Sequence, residues 1–304
     1  MRKTTTLILF LALWAVGAAQ APVSNMYMFD IEVKNDSTFL FTKPKYLTFF
    51  NEKGYNNHPC FFSSDEIYFS CQGPFEDQPD IQMLRLNDLS RSQITQTSAG
   101  EYSPRPAGDY RSFSVIRQEV VNGDTLLRLW KMPLDRGAGS VPVFKDIINV
   151  GYYEWLSSQS VILHLNGSNG NPNQLVIADT YGIGSQKIIS TNVGRCFKRT
   201  RDGQIIYVQK SSGNNRLNVL TRFDPRPYTS AKETVLVNTL PGSEDFAVMG
   251  DGTILMASGS ALYKFKPGKD EDWQQIADFQ EYNMRRITRM ELSPDYRRIV
   301  MVVN

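Results

Sequence analysis

The chain has 304 residues, 41% of them apolar and 12% aromatic, which is enough for a large core and excludes a disordered chain. Its 33 Lys and Arg stand against 31 Asp and Glu, a near-neutral balance that leaves no electrostatic footprint for nucleic acid or an anionic membrane. Three cysteines allow at most one intramolecular bridge.

At the N-terminus, Arg2 and Lys3 precede an apolar run from Leu7 to Ala19, which ends in the small residues Gly17, Ala18 and Ala19. This order predicts a secretory signal peptide over 1–19, with Gln20 as the first mature residue. The run is shorter than the roughly 20 apolar residues of a membrane span. No cysteine follows the cut, and no later segment is apolar enough to cross a bilayer. The expected product is a soluble monomer, periplasmic or secreted, without membrane insertion. Loss of Arg2 and Lys3 leaves 31 charges of each sign.

From there a repeat organises the chain. Six copies of a short strand, a tight Asp- or Ser-containing turn and an apolar strand span 59–69, 103–113, 152–163, 196–207, 245–256 and 289–300. The first core residues of the second strands, Ile67, Phe113, Val161, Ile205, Ile254 and Ile299, are 46, 48, 44, 49 and 45 residues apart. A four-stranded propeller blade needs about this length. Asp-Gly at 202–203 and 251–252 marks tight hairpins, because both residues tolerate positive φ. Third strands are expected at 81–86, 126–130, 174–178, 216–220 and 261–265. Fourth strands such as 234–237 and 273–277 are short and polar, as suits a guarded outer edge.

The sixth copy stops at Asn304 without its outer two strands, and two strands near the N-terminus, 27–33 and 46–50, lack partners. The prediction is an all-β, six-bladed propeller of four-stranded antiparallel blades, in which the N-terminal strands complete the last blade and close the ring. The segments are 20–50 (outer strands of blade 6), 55–97, 101–147, 150–191, 194–239 and 243–280 (blades 1 to 5), and 285–304 (inner strands of blade 6).

The signature of a Pro-containing first strand, a Ser-Pro-Asp turn and an Ile-Tyr-Phe-like second strand is clear at Ser293-Pro294-Asp295 and at Ser64-Asp65 with Ile67-Tyr68-Phe69. Here the chain resembles the TolB-type propeller repeat. The entries to the first strands, such as 54–59, 101–104, 150–153 and 240–245, are similar to those of exported bacterial TolB-like propellers. The resemblance implies the fold, export and, by analogy, binding; fold alone does not give function.

Candidate chemistry is sparse. Two histidines, His58 and His164, and cysteines at 60, 71 and 196 lack zinc spacing, and no Gly-x-Ser-x-Gly elbow is present. A hairpin tip at Asp65-Glu66 would set Cys60 opposite Cys71, close enough for a disulfide; two buried thiols fit equally, and Cys196 reads as an apolar filler. First strands line a propeller's channel, so their starts ring its mouth. His58, Glu101, Tyr102, Tyr153, Arg195, Glu244, Asp245 and Arg289 fall on or beside this ring. Arginine suits a carboxylate or phosphate, and tyrosine a sugar or a peptide side chain. The competing reading pairs Arg195 with Glu244 and Arg289 with Asp245 as buried ion pairs, a view that Arg105, Glu154 and Lys198 on successive blades support. The leading expectation is a non-enzymatic module that binds a protein, peptide or glycan of the cell envelope at the channel mouth, with no cofactor. One alternative is a hydrolase or lactonase with a channel calcium, for which Asn56, Glu101, Glu244 and Asp245 would supply oxygens. The other is a structural envelope scaffold.

Overall fold

A computed structural model describes residues 21–135, 139–181, 186–211, 218–226 and 233–304. The predicted signal peptide, and residues 216–217 of one predicted third strand, lie outside them. The described strands form six antiparallel sheets of four. Blade 1 runs Tyr55–Phe61, Glu66–Gln72, Asp80–Arg85 and Arg91–Gln93 from the inside outward. Blade 2 runs Gly100–Pro106, Ser112–Val121, Asp124–Pro133 and Val141–Pro142. Blades 3, 4 and 5 begin with inner strands Val150–Trp155, Val193–Arg199 and Phe246–Val248.

Blade 6 takes its inner strands, Ile287–Leu292 and Arg298–Val303, from the C-terminus and its outer ones, Asn25–Asn35 and Thr38–Tyr46, from the N-terminus. The ring is therefore closed by antiparallel pairing that runs from Asn25 opposite Val303 to Asp30 opposite Arg298. The second N-terminal strand differs from the expected 46–50. It lies at Thr38–Tyr46, where buried Phe39 and half-buried Phe41 alternate with exposed Thr38, Leu40 and Thr42, and Phe49–Asn51 form a 3-10 turn instead.

The turns explain the repeat. Asp109, Asp251 and Asp295 each accept a main-chain N–H two residues on, from Arg111, Thr253 and Arg297. Ser63 and Ser157 do the same for Asp65 and Gln159. Such short polar side chains stabilise a turn locally, whatever lies beyond it. Gly203 and Gly252 take φ of +88° and +84°, which their Asp-Gly turns require.

Second strands read as unbroken apolar runs because both faces are covered by neighbouring blades; Ser160–Leu165 and Arg298–Val303 are buried almost throughout. The core is accordingly six separate lenses, one per blade interface. Phe29, Ile31 and Met301 of blade 6 pack on Leu255 and Leu262 of blade 5, while Met26, Met28 and Val300 pack on Ile67 and Phe69 of blade 1. The closing strand thus serves two interfaces, with its alternate residues facing opposite ways.

The expected opposition of Cys60 and Cys71 is corrected by the register. The hairpin turns around 62–66, where the N–H groups of Phe62 and Ser63 both donate to the Glu66 carbonyl. A bulge between Asn57 and Cys60 shifts the pairing further, so Cys71 faces Asn56 and Cys60 faces Tyr68. Both cysteines, and Cys196, are buried free thiols, and burial pushes the Cys60 thiol up to about 12.

Phe29 is fully buried and meets Phe279 and Tyr282 at centroid distances of 4.7 and 5.1 Å. Phe29→Ala is expected to cost ~3–5 kcal/mol. Urea unfolding should remain one transition, because losing a shared interface weakens the whole ring; a separate early transition for blade 6 would contradict ring closure.

Candidate functional site

Inner strands begin at one end of the channel, and there their ladders slip. Register shifts fall between Asn57 and Cys60, Tyr102 and Arg105, Val150 and Tyr152, Val193 and Phe197, and Ile287 and Arg289. A bulge frees a residue from the ladder and re-aims side chains. His58 and Ser103, each before a proline, adopt φ of +54°, a conformation that side chains other than glycine, Asn and Asp seldom take.

The result is a cleft of about 520 Å³ at the mouth. His58 stands in an aromatic cage, with Tyr55, Tyr102 and Tyr152 at centroid distances of 6.1, 6.0 and 6.2 Å. Tyr55 Oη meets His58 Nδ1 at 3.2 Å. Burial, reinforced by Arg289, Arg195 and Arg105, holds His58 well below its ordinary pKa, so the ring is neutral. Arg289 lies over the Tyr152 ring at 5.2 Å, and its Nε donates to Asn57 at 3.0 Å. The Asp245 carboxylate is 3.9 Å from Arg289 and accepts the Met290 N–H at 2.8 Å. This pairing was expected.

The pairing of Arg195 with Glu244 takes another form. Glu244 accepts the main-chain N–H of Arg195 at 3.2 Å and gives its other oxygen to Lys210 at 2.9 Å. The Arg195 guanidinium donates to the neutral Thr288 carbonyl at 2.9 Å, and its buried Nε has no partner. Among the described residues no carboxylate lies within 4.0 Å of it.

Beneath the mouth the channel narrows to about 40 Å³ and is crossed by a charge network. Arg105 meets Glu154 at 3.4 Å and Glu291 at 3.7 Å, and Glu291 meets Lys198 at 2.8 Å. Burial raises the Glu291 carboxyl, but Lys198 and Arg105 outweigh it and hold the group below its ordinary range. In the neck and mouth, Arg105 and Lys198 face Glu154 and Glu291, and Arg289 faces Asp245. Among the described residues the half-buried Arg195 has no ion pair, and the exposed Arg286 adds a further cation at the rim.

Other ring expectations separate. Tyr153 is buried, and its hydroxyl donates to the Ser103 carbonyl of blade 2 at 2.8 Å, which makes it an interface residue. Glu101 does not reach the mouth; it is fully buried against Arg117, at 2.8 Å, and Thr97. Asn56 is occupied by Ser24 and Asn51. The oxygens imagined around a calcium are thus not assembled, and the described residues contain no cluster of three or more His, Cys, Asp or Glu suited to a metal. Tyr55, Tyr152 and Arg286 also line the mouth. Tyr55 stands three residues ahead of His58, beyond the ring positions read from the repeat, on a strand whose register slips between Asn57 and Cys60.

Comparison with known proteins finds no matching family model and no matching curated protein. Solved structures do match. A putative TolB from Agrobacterium tumefaciens has a TM-score of 0.62 at 10% identity, covering 93% of this chain and 98% of its own. The nidogen/laminin complex gives 0.60 at 11% identity, covering 92% and 98%. Oligogalacturonate lyase in complex with manganese gives 0.57 at 13%, covering 88% and 82%. At these identities the likeness is one of fold alone: the chain is a six-bladed β-propeller similar in shape to TolB, and the proteins of similar shape include both an enzyme and a member of a protein complex. No helix among the described residues is long and apolar enough to cross a membrane.

Burial, with Lys210 second, pushes His164 down to about 4; unfolded, it titrates near ~6.5. Between these values the unfolded chain holds the proton and the native chain does not. The stability this group confers is therefore complete above ~6.5 and falls as pH drops toward about 4. Between about pH 7 and about pH 5, urea unfolding of the wild type should lose ~2 kcal/mol more than His164→Gln. An equal loss would show that the native ring is protonated.

Proposed function

We propose that this protein is an exported, non-enzymatic binding module that holds an anionic group of a protein, peptide or glycan at the mouth of its channel. The observation that carries the reading is Arg195, a half-buried cation in the cleft whose guanidinium has, among the described residues, no carboxylate within 4.0 Å and no partner on Nε. Burying a charge without a counter-charge is costly, and a ligand carboxylate or phosphate would remove the cost. Arginine's planar fork matches either group. Tyr102 and Tyr152 offer flat apolar walls to a sugar or side chain, and the volume is in the range of small-ligand sites.

The propellers of similar shape are compatible with this reading. One sits in a nidogen/laminin complex, and another is named for oligogalacturonate, an acidic saccharide. The predicted leader and TolB-like shape support a periplasmic or secreted monomer with a partner in the cell envelope. A calcium-dependent hydrolase has less support, since Asn56, Glu101, Glu244 and Asp245 serve other partners.

A panel pairing uronate with neutral oligosaccharides, and acidic peptides with their amidated forms, tests the proposal by calorimetry. Binding should be confined to ligands with a free carboxylate or phosphate, and Arg195→Ala should weaken it by about 10-fold or more. If the wild type, Arg195→Ala and Glu244→Gln behave alike, or neutral ligands bind equally, the reading fails. Chelator-sensitive hydrolysis would favour the enzyme instead.

A further inference from the structure

We propose that the hairpin of blade 2 is a strand-docking arm, and that its partner is an extended peptide carrying a carboxylate. The proposal rests on the mouth being an anion site and names what occupies it.

In four other blades the inner strand starts opposite the end of the second: Tyr55 opposite Gln72, Val150 opposite Leu165, Val193 opposite Gln209 and Ile287 opposite Val303. In blade 2 the inner strand starts at Gly100, opposite Gln118, yet the second strand continues to Val121. Asn122 and Gly123, with φ of +54° and +88°, turn the chain so that Val121 faces Asp124. Positive φ at both central residues marks a type I′ turn, whose twist matches that of the flanking strands. The hairpin therefore projects beyond the mouth, paired only with itself, and Val120 at its end is 74% exposed.

Its outer edge is open. The fourth strand, Val141–Pro142, pairs only with Lys131 and Trp130, and the Val143 N–H donates to the Leu129 carbonyl. Strand groups repeat with a period of two, so the N–H and C=O of Leu127 and Thr125 point along the same edge as those of Leu129. Among the described residues neither has a main-chain partner there. An edge of this kind is a template for an added strand.

The arm belongs to the mouth. Ile116, Gln118 and Leu127 on one of its faces line the same cleft as Arg195. A peptide laid along Thr125 and Leu127 would extend the sheet at the wall of a cleft that holds an unneutralised cation, and an acidic side chain or terminal carboxylate would supply the counter-charge. Alternating N–H and C=O groups at strand spacing complement a peptide backbone, which favours a peptide over a glycan. The charged pair Glu119 and Arg128, at 2.7 Å, sits on the opposite face of the arm and guards it against indiscriminate pairing.

Random peptides of about twelve residues, displayed on phage and selected on the mature wild-type chain, test the proposal. The tightest peptide should bind at least about 10-fold more weakly to Thr125→Pro, whose ring fills the outward N–H position without touching the ladder to the second strand. Thr125→Ala should bind like wild type, and unchanged thermal unfolding of Thr125→Pro would show that it folds. Bound peptide should slow hydrogen exchange at Thr125 and Leu127, and Arg195→Ala should weaken the same peptide. Peptides lost on Arg195→Ala but not on Thr125→Pro would uphold the mouth and overturn the arm. The reverse pattern would uphold the edge and overturn the anion site. No selectable peptide, or occupation of the edge by a second copy of the chain, would overturn the proposal.

Discussion

Closure of the ring by the strand Asn25–Asn35 is the constraint on which the rest of the molecule depends. No blade has a core of its own: each apolar lens is built from the facing surfaces of two neighbours, from Ile81 against Phe113 and Val115 to Ile206 against Phe246 and Met256. A linear array of such blades would leave two half-lenses wet and a sheet edge open. The N-terminal strand resolves both faults, placing Met26 and Met28 on blade 1 and Phe29 and Ile31 on blade 5. Arg298 adds a polar clasp across the seam through the Ser64 carbonyl and Asp65.

Closure also creates the channel and its chemistry. Six inner strands converge on an axis, and any charge they carry is desolvated there. Most of those charges are resolved internally, through Arg105, Glu154, Glu291 and Lys198 in the neck and Arg289 with Asp245 above it. Arg195 is the exception. Native structures depart from local optimum where function requires it, and a half-buried guanidinium with a buried, unpartnered Nε in an aromatic cleft is such a departure. The projecting arm of blade 2 raises one wall of the same cleft, so peptide docking and anion recognition share a site.

The repeat was legible in the sequence because its turns are local: Asp109, Asp251 and Asp295 bond main-chain N–H groups two residues away, independent of packing. The core positions were legible because second strands are covered on both faces and so read as apolar runs. Register was not. One bulge at His58-Pro59 and a longer turn at 62–66 were enough to separate Cys60 from Cys71, and neither leaves a clear mark in residue type. Glu101 was misplaced for the same reason, since a bulge decides which face a strand residue uses. The strand Thr38–Tyr46 is hard to read because exposed Leu40 between Phe39 and Phe41 blurs the alternation, while the denser aromatic pair Phe49-Phe50 sits in a 3-10 turn. The arm did have a local sign, Asn122-Gly123, which is a strong hairpin signal.

The two readings of the mouth, ligand site and structural ion pairing, differ in what Arg195 does when nothing is bound. If it is an uncompensated cation held for a ligand, replacing it with methionine removes a desolvation cost while keeping the packing. The direct measurement is urea unfolding of Arg195→Met beside the wild type, without ligand. The account predicts a variant at least as stable as the wild type, gaining up to ~1–2 kcal/mol. A loss of ~3 kcal/mol or more, as when one partner of a buried ion pair is removed, would contradict it and make Arg195 a structural residue.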